Sequence, residues 1–133
     1  MNPAILYVED DRFSRKVVQV LFDEVMELTK LTVFENSEAF LTKVEALPNK
    51  PELIFLDIQM KPIDGFAMLE LLRNHNDYRS ATIIALTANV MAHDVEKLKQ
   101  VGFDGLIGKP IMSDIFPELV KRIVDGEAIW YIP

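Results

Sequence analysis

The segment "ELIFLDIQM" (residues 52–60) decides how the chain folds, because an apolar run from Leu53 to Leu56 is followed at once by a carboxylate, Asp57. A short run that is apolar at every position is typical of a strand buried on both faces of a sheet. Asp57 has two interpretations. It is a turn residue that faces water, or the fold holds it at the edge of the sheet for chemistry.

Similar apolar runs recur along the chain and alternate with helical patterns. They predict five strands, at 4–8, 31–35, 53–56, 82–87 and 105–108. Five helices are predicted between and after them, and three carry specific expectations. The first spans 12–26, with Phe13, Val17, Val20 and Leu21 on its apolar face; the second is capped by Asn36 or Ser37; the last runs over 114–124, with Asp114 as its N-cap and Pro117 at its third position.

Alternating strands and helices, with strands apolar on both faces, predict an α/β fold with a parallel sheet covered by helices on each side. Ligands of such sheets bind at the carboxyl ends of the strands. Five residues lie at or just after those ends: Glu9, Asp10, Asp57, Thr87 and Lys109.

Composition excludes several classes of function. The chain has 133 residues, half of them hydrophobic, a net charge of −7 and no cysteine. Excess negative charge argues against direct binding to nucleic acid, and the missing cysteines exclude disulfides and thiol chemistry. The apolar runs are too short to cross a bilayer, and the N-terminus has no signal peptide pattern. We therefore expect no membrane insertion and a cytoplasmic location.

Glu9, Asp10 and Asp57 meet at one edge if the first and third strands are neighbours. Clustered carboxylates repel one another, and a hard cation such as Mg²⁺ removes that repulsion. Asp57 can then act as a nucleophile that accepts a phosphoryl group. The Thr87 hydroxyl and the Lys109 ammonium can bind the oxygens of that group.

Four segments, "ILYVEDDRFSRKVV", "LIFLDIQMKPIDGF", "IIALTA" and "GLIGKPI", together resemble the receiver domain of two-component response regulators of the chemotaxis type. The resemblance spans about residues 3–124. It implies a flavodoxin-like sheet with strand order 2-1-3-4-5 and five helices. It also implies a signalling module that catalyses only its own phosphorylation and dephosphorylation.

Carried over residue by residue, the resemblance makes Asp57 the site of 4-aspartylphosphate. Asp10 and Asp57 become direct Mg²⁺ ligands, Glu9 completes the acidic pair, and Gln59 supplies a backbone carbonyl to the metal. Thr87 and Lys109 hold the phosphoryl group, and the Lys109–Pro110 bond is cis. The donor, a histidine kinase or a histidine phosphotransfer protein, would dock around Ser14, Val17 and Pro110.

Two positions depart from the family pattern. Leu106 stands where the family commonly has an aromatic residue, so the resemblance does not carry the family's threonine-to-aromatic switch over to this chain. The usual Met-Pro after the phosphoacceptor is here Met60-Lys61-Pro62, with proline one place late. We expect Lys61 to be a solvated loop residue.

The domain is predicted to span 1–125, followed by an apolar tail over 126–133, "GEAIWYIP". The tail either folds back on its own domain or covers a partner, such as the second subunit of a homodimer. If these 133 residues are the full gene product, we expect signalling through contact with a protein target or through onward phosphotransfer.

Two other functions compete with this one. A receiver-like adaptor would bind its partner without phosphorylation, using Leu106 and the tail. A phosphatase of the haloacid-dehalogenase type also forms an aspartyl phosphate, but that class needs a second acid two residues after the nucleophile, where this chain has Gln59.

Overall fold

The computed structural model describes residues 2–133 and contains one sheet with helices on both faces. The strands are β1 (Ile5–Val8), β2 (Leu31–Phe34), β3 (Leu53–Asp57), β4 (Thr82–Thr87), β5 (Gly105–Gly108) and β6 (Trp130–Tyr131). The helices are α1 (Arg12–Val20, continued by a π-helical turn over Leu21–Val25), α2 (Phe40–Glu45), α3 (Gly65–Arg73), α4 (Ala92–Val101) and α5 (Phe116–Val124).

The strand order is β2-β1-β3-β4-β5-β6, and every pair is parallel. The predicted α/β class and the 2-1-3-4-5 order are confirmed, with a sixth strand added beyond β5. Each face of the sheet has its own apolar core, with α2, α3 and α4 over one face and α1 and α5 over the other. Among the described residues, no helix is long and apolar enough to cross a membrane.

The sixth strand comes from the tail. Trp130 and Tyr131 pair in parallel with Leu106 and Ile107 of β5, and Ile129 is buried beneath them. Of the two arrangements predicted for the tail, it is the fold-back that the structure contains. Gly105 permits this close approach, because a Cβ there would lie 2.5 Å from the Ile129 carbonyl oxygen.

The predicted apolar face of α1 was wrong in part. Phe13 and Val20 are 76% and 42% exposed, and the buried side is formed by Val18, Leu21 and Phe22. Four valines, one leucine and two phenylalanines lie in this helix and its π-helical turn, so two overlapping stripes have helical spacing, and packing against α5 selects one of them.

Two predicted helix caps were also wrong. Helix α2 begins only at Phe40, after Ala39 in the left-handed region, so neither Asn36 nor Ser37 caps it. Helix α5 begins at Phe116 with Ile115 as N-cap, which leaves Asp114 outside and puts Pro117 at the second helical position. Proline is tolerated there because the first N–H groups of a helix have no intrahelical partner.

Candidate functional site

The parallel register brings the predicted site residues to one edge of the sheet. Val8 of β1 pairs with Leu56 of β3, so Glu9 and Asp57 both lie one residue beyond that pair. On the other side, Thr87 ends β4 opposite Gly108 of β5. Lys109 follows, and its N–H donates to the Thr87 carbonyl at 2.8 Å.

Three carboxylates form the centre of this edge. Glu9, Asp10 and Asp57 each present an oxygen, and these oxygens all lie within 4.8 Å of one another. Glu9 and Asp57 are buried, whereas Asp10 is exposed. The cluster therefore has a desolvated floor and one side open to water, which suits a cation that keeps some of its waters.

Lys109 lies between the two buried acids. Its Nζ is 2.9 Å from Glu9 Oε1 and 3.0 Å from Asp57 Oδ2. Burial alone would lower the Lys109 pKa, but the hydrogen bond to Glu9 and the charges of both acids outweigh burial, so the pKa is raised. The lysine stays charged, and one cation faces two buried carboxylates.

Glu9 is the most enclosed of the acids. Tyr7 donates its hydroxyl to Glu9 Oε1 at 3.3 Å, and the Asp11 N–H donates to Glu9 Oε2 at 3.3 Å. Burial first and the neighbouring Asp57 second raise the Glu9 pKa, although Lys109 opposes them. Burial and the Glu9 charge also raise the pKa of the Tyr7 phenol, which stays protonated.

The loop after β3 orients Asp57. The Gln59 N–H donates to Asp57 Oδ1 at 3.1 Å, and Lys109 Nζ donates to Asp57 Oδ2 at 3.0 Å. The loop is closed by the Gly65 N–H, which donates to the Ile58 carbonyl at 2.9 Å. A Cβ at Gly65 would lie 2.8 Å from the Ile58 Cα, so only glycine lets α3 approach this closely.

Thr87 and Leu106 are buried at or near the same edge. The Thr87 hydroxyl accepts the Asn89 N–H at 3.0 Å. Leu106 belongs to the core beneath α4, and its neighbour in the sheet is Trp130 of the tail strand. The switch position thus holds a fully packed leucine beside an aromatic residue contributed by β6.

The residues predicted to contact a donor lie on α1 and directly after Lys109. Ser14 and Val17 are half-buried on α1, and Pro110 is exposed after a cis Lys109–Pro110 bond. Asp11 caps α1 by accepting the Ser14 N–H at 2.8 Å. Phe13, on the same helix, is 76% exposed, although its apolar character alone suggested the core.

The donor set fits magnesium. Carboxylate oxygens with a nearby loop carbonyl are hard ligands, and the clustered acids carry more negative charge than Lys109 balances. Cysteine is missing from the chain, and neither histidine belongs to the acidic cluster, so softer metals are not favoured.

The fold and the acidic edge define a class of protein, the phosphoacceptor signalling domains built on a flavodoxin-like sheet. Residues 5–123 match the response regulator receiver domain, and the chain belongs to that family. It is therefore a receiver domain of two-component systems, with an acidic pocket suited to a phosphoryl-accepting aspartate and magnesium.

Known relatives agree with this assignment. The chain is 28% identical over 128 residues to the polar-differentiation response regulator DivK of Brucella anthropi, covering 96% of this chain and all of DivK. The solved chemotaxis response regulator CheY4 of Vibrio cholerae has the same fold, with a TM-score of 0.79 at 20% identity over 92% of this chain and 99% of that one. The receiver domain of a signal transduction histidine kinase from Syntrophus aciditrophicus superposes at a TM-score of 0.78 with 26% identity, covering 93% and 91%.

Proposed function

We propose that Asp57 accepts a phosphoryl group from a phosphohistidine donor and that this event switches the protein's contacts. The observation that carries the proposal is the pairing of Asp57 Oδ2 with Lys109 Nζ at 3.0 Å inside a cluster of three acids. A buried carboxylate at the end of a strand is held in a fixed orientation, and fixed placement of a nucleophile lowers the barrier to attack.

In the reaction, an Asp57 oxygen forms a bond to phosphorus while the phosphorus–nitrogen bond to the donor histidine breaks. The imidazole leaves with the electron pair of that bond. The Gln59 N–H orients Asp57 from the loop, and Lys109 offsets the charge of the incoming oxygens. Thr87 donates its hydroxyl hydrogen to the same group, and its oxygen can keep accepting the Asn89 N–H, because a hydroxyl donates and accepts at the same time.

Magnesium would be held by Asp10 and Asp57 directly, with the Gln59 carbonyl as a further ligand and Glu9 beside them. When bound, the ion supplies positive charge that offsets repulsion between the carboxylates and the phosphoryl group. Lys109 Nζ lies 2.9 Å from Glu9 and 3.0 Å from Asp57, so its ammonium is already within reach of oxygens of a phosphoryl group on Asp57.

Donor docking is proposed at α1 and the loop at Pro110, with Ser14 and Val17 as contacts and Phe13 added to them. Phe13 is 76% exposed three residues after Asp10, and aromatic side chains are common anchors of protein interfaces. Val25, 59% exposed near the other end of the same helix, is a matched control. We expect Phe13→Ala to slow phosphorylation by a histidine kinase and Val25→Ala to leave the rate unchanged.

The protein acts in the cytoplasm and signals to a protein target or passes the group onward, and it does no catalysis beyond its own phosphorylation and dephosphorylation. A homodimer through the tail side of the sheet is a further part of the proposal, supported by Ile132, which is 51% exposed at the end of β6.

A second candidate, an adaptor that works without phosphorylation, is favoured by the buried Leu106 and its neighbour Trp130. Beryllofluoride, which mimics the phosphoryl group, separates the two. Binding of beryllofluoride with Mg²⁺ and a shift of Trp130 fluorescence support the switch, whereas no binding supports the adaptor.

The experiment that tests phosphorylation is intact mass after incubation with acetyl phosphate, with and without Mg²⁺. Wild type is expected to gain one phosphoryl group only with Mg²⁺, and Asp57→Asn none. Asp23→Asn, which removes an exposed acid on the π-helical turn after α1, is the control and keeps the adduct. An adduct on Asp57→Asn as large as on wild type contradicts the proposal.

A further inference from the structure

Ser37 is one of four buried polar or charged side chains among the described residues, and the other three belong to the acidic edge: Glu9, Asp57 and Thr87. It is 1% exposed and lies between β2 and α2, where it caps no helix. Its hydroxyl donates to the Ile63 carbonyl at 2.6 Å and accepts the Ile63 N–H at 2.9 Å. Its own N–H donates to the Lys61 carbonyl at 3.3 Å.

These three bonds join the β2–α2 loop to the loop that carries Gln59. That second loop runs from Ile58 to Asp64, and its first residues orient Asp57 through the Gln59 N–H. Ile63 also packs against the core beneath α3, so its backbone is held from two directions. Because Met60 and Ile58 are buried as well, a shift at Ile63 is transmitted toward Gln59 rather than absorbed by solvent.

Hydrogen bonds on both sides of Ser37 hold the β2–α2 loop in place. Asn36 accepts the Glu38 N–H at 2.9 Å, which orders the turn around Ser37. On the strand side, the Phe34 carbonyl accepts the Glu9 N–H at 3.0 Å. One short segment therefore contacts the backbone of Glu9 at one end and the loop after Asp57 at the other.

We propose that Ser37 is a positioning residue of the phosphoacceptor site. Its hydroxyl holds the Ile63 backbone, beside the bond from its own N–H to Lys61, and thereby sets where the Gln59 backbone stands relative to Asp57. It touches neither the reacting atoms nor the acids. This inference rests on the proposed function for its consequence in phosphorylation, but the placement of the Gln59 backbone is testable without it.

The first test uses metal-free protein. Amide hydrogen exchange at Gln59 and Ile63 is compared in wild type, Ser37→Ala and Ser37→Cys, the last of which keeps the side-chain connectivity but has a larger atom that forms weaker hydrogen bonds. We expect faster exchange at both amides in both variants. Asn2→Ala is the control, because Asn2 is bonded twice to Thr29 at the opposite edge of the sheet, at 3.0 Å each.

The second test measures Mg²⁺ affinity and the rate of phosphorylation by acetyl phosphate. Loss of a residue that orients metal ligands weakens metal binding by about tenfold, and we expect that change in Ser37→Ala at a temperature where all variants are folded. Asn2→Ala is expected to match wild type. A general loss of stability would not change Mg²⁺ affinity in folded protein.

The outcomes separate the two proposals. If wild type takes no phosphoryl group, the proposed function fails, and the exchange data alone decide the role of Ser37. If wild type is phosphorylated and the folded Ser37 variants match it in Mg²⁺ affinity and in exchange at Gln59, the positioning role is wrong. Should Ser37→Ala not fold, Ser37→Cys decides by the same two measurements.

Discussion

Two charged clusters lie at opposite edges of the sheet, and they differ in how completely their charges are satisfied. At the amino edge, Arg73 donates to the carbonyls of Arg79, Ala81 and Gly102 and to the Asp104 carboxylate, at 2.7–3.0 Å. At the carboxyl edge, Lys109 is the one cationic side chain paired with Glu9 and Asp57 among the described residues, and Asp10 lies beside them.

The difference separates a structural cluster from a functional one. The Arg73 guanidinium, with five donors in a fixed fork, ties α3 to the segments before β4 and β5 and balances one acid with one base. Three acids surround one lysine, so negative charge remains for a further cation to offset. Surplus negative charge in a desolvated place costs stability, which proteins accept chiefly at functional sites.

Removal of Lys109 should have the largest effect on this comparison. Lys109→Met leaves two buried carboxylates without a cation, so without divalent ions we expect the free energy of unfolding to fall by about 3 kcal/mol. Because the Glu9 pKa is raised in the folded state, Glu9 takes up a proton as the pH falls, and this removes the repulsion between the two carboxylates. The loss of unfolding free energy in Lys109→Met should therefore be smaller at pH 5 than at pH 8. Urea unfolding measures both, with the exposed Lys121→Met as control. A loss that grows toward low pH would contradict the account.

Arg73→Met should come next. It removes four hydrogen bonds but leaves carbonyls that water can reach in part, so we expect a loss of about 2 kcal/mol. Phosphorylation by acetyl phosphate should proceed at the wild-type rate, because Arg73 is at the other edge. A slowed phosphorylation in folded Arg73→Met would show that the two edges are not independent.

Magnesium should stabilise one edge only. Free Mg²⁺ at ten times its dissociation constant raises the free energy of unfolding by about 1.4 kcal/mol through mass action. We expect this gain in wild type and in Arg73→Met, and a smaller gain in Asp57→Asn. Thermal unfolding with and without Mg²⁺ measures the gain. An equal gain in all three proteins would mean that the ion binds away from Asp57.

The smallest expected effects come from replacing one aspartate by asparagine at each edge. Without divalent ions, Asp57→Asn relieves repulsion with Glu9 and should stabilise the fold by about 1 kcal/mol, whereas Asp104→Asn loses a charge-assisted bond and should destabilise it by about 1 kcal/mol. Paired urea titrations give both signs. Equal signs would mean that the carboxyl edge holds no surplus of charge.

Much of the fold followed from apolar runs alone. The predicted bounds of β4 and β5 agree with the structure, because fully buried parallel strands leave continuous apolar segments ended by polar residues. The convergence of Glu9, Asp57 and Lys109 also followed, since parallel strands present their carboxyl ends at one edge.

The rest depended on tertiary contacts that no local pattern records. Phe13 has an apolar side chain at helical spacing, yet α1 rotates its buried side toward Val18 and Phe22. Ser37 looked like a helix cap, and its true partner, Ile63, lies 26 residues away. Trp130 and Tyr131 form too short a strand for periodicity to detect, and only the edge of β5 selects them.

The most direct test of the central claim is to locate the phosphoryl group. Protein treated with acetyl phosphate and Mg²⁺ is reduced with borohydride, which converts an aspartyl phosphate to homoserine, and is then digested and sequenced by mass spectrometry. The account predicts homoserine at position 57 and at no other aspartate. Conversion at another acid, or a phosphoryl adduct on His75 or His93 with Asp57 unmodified, would contradict it.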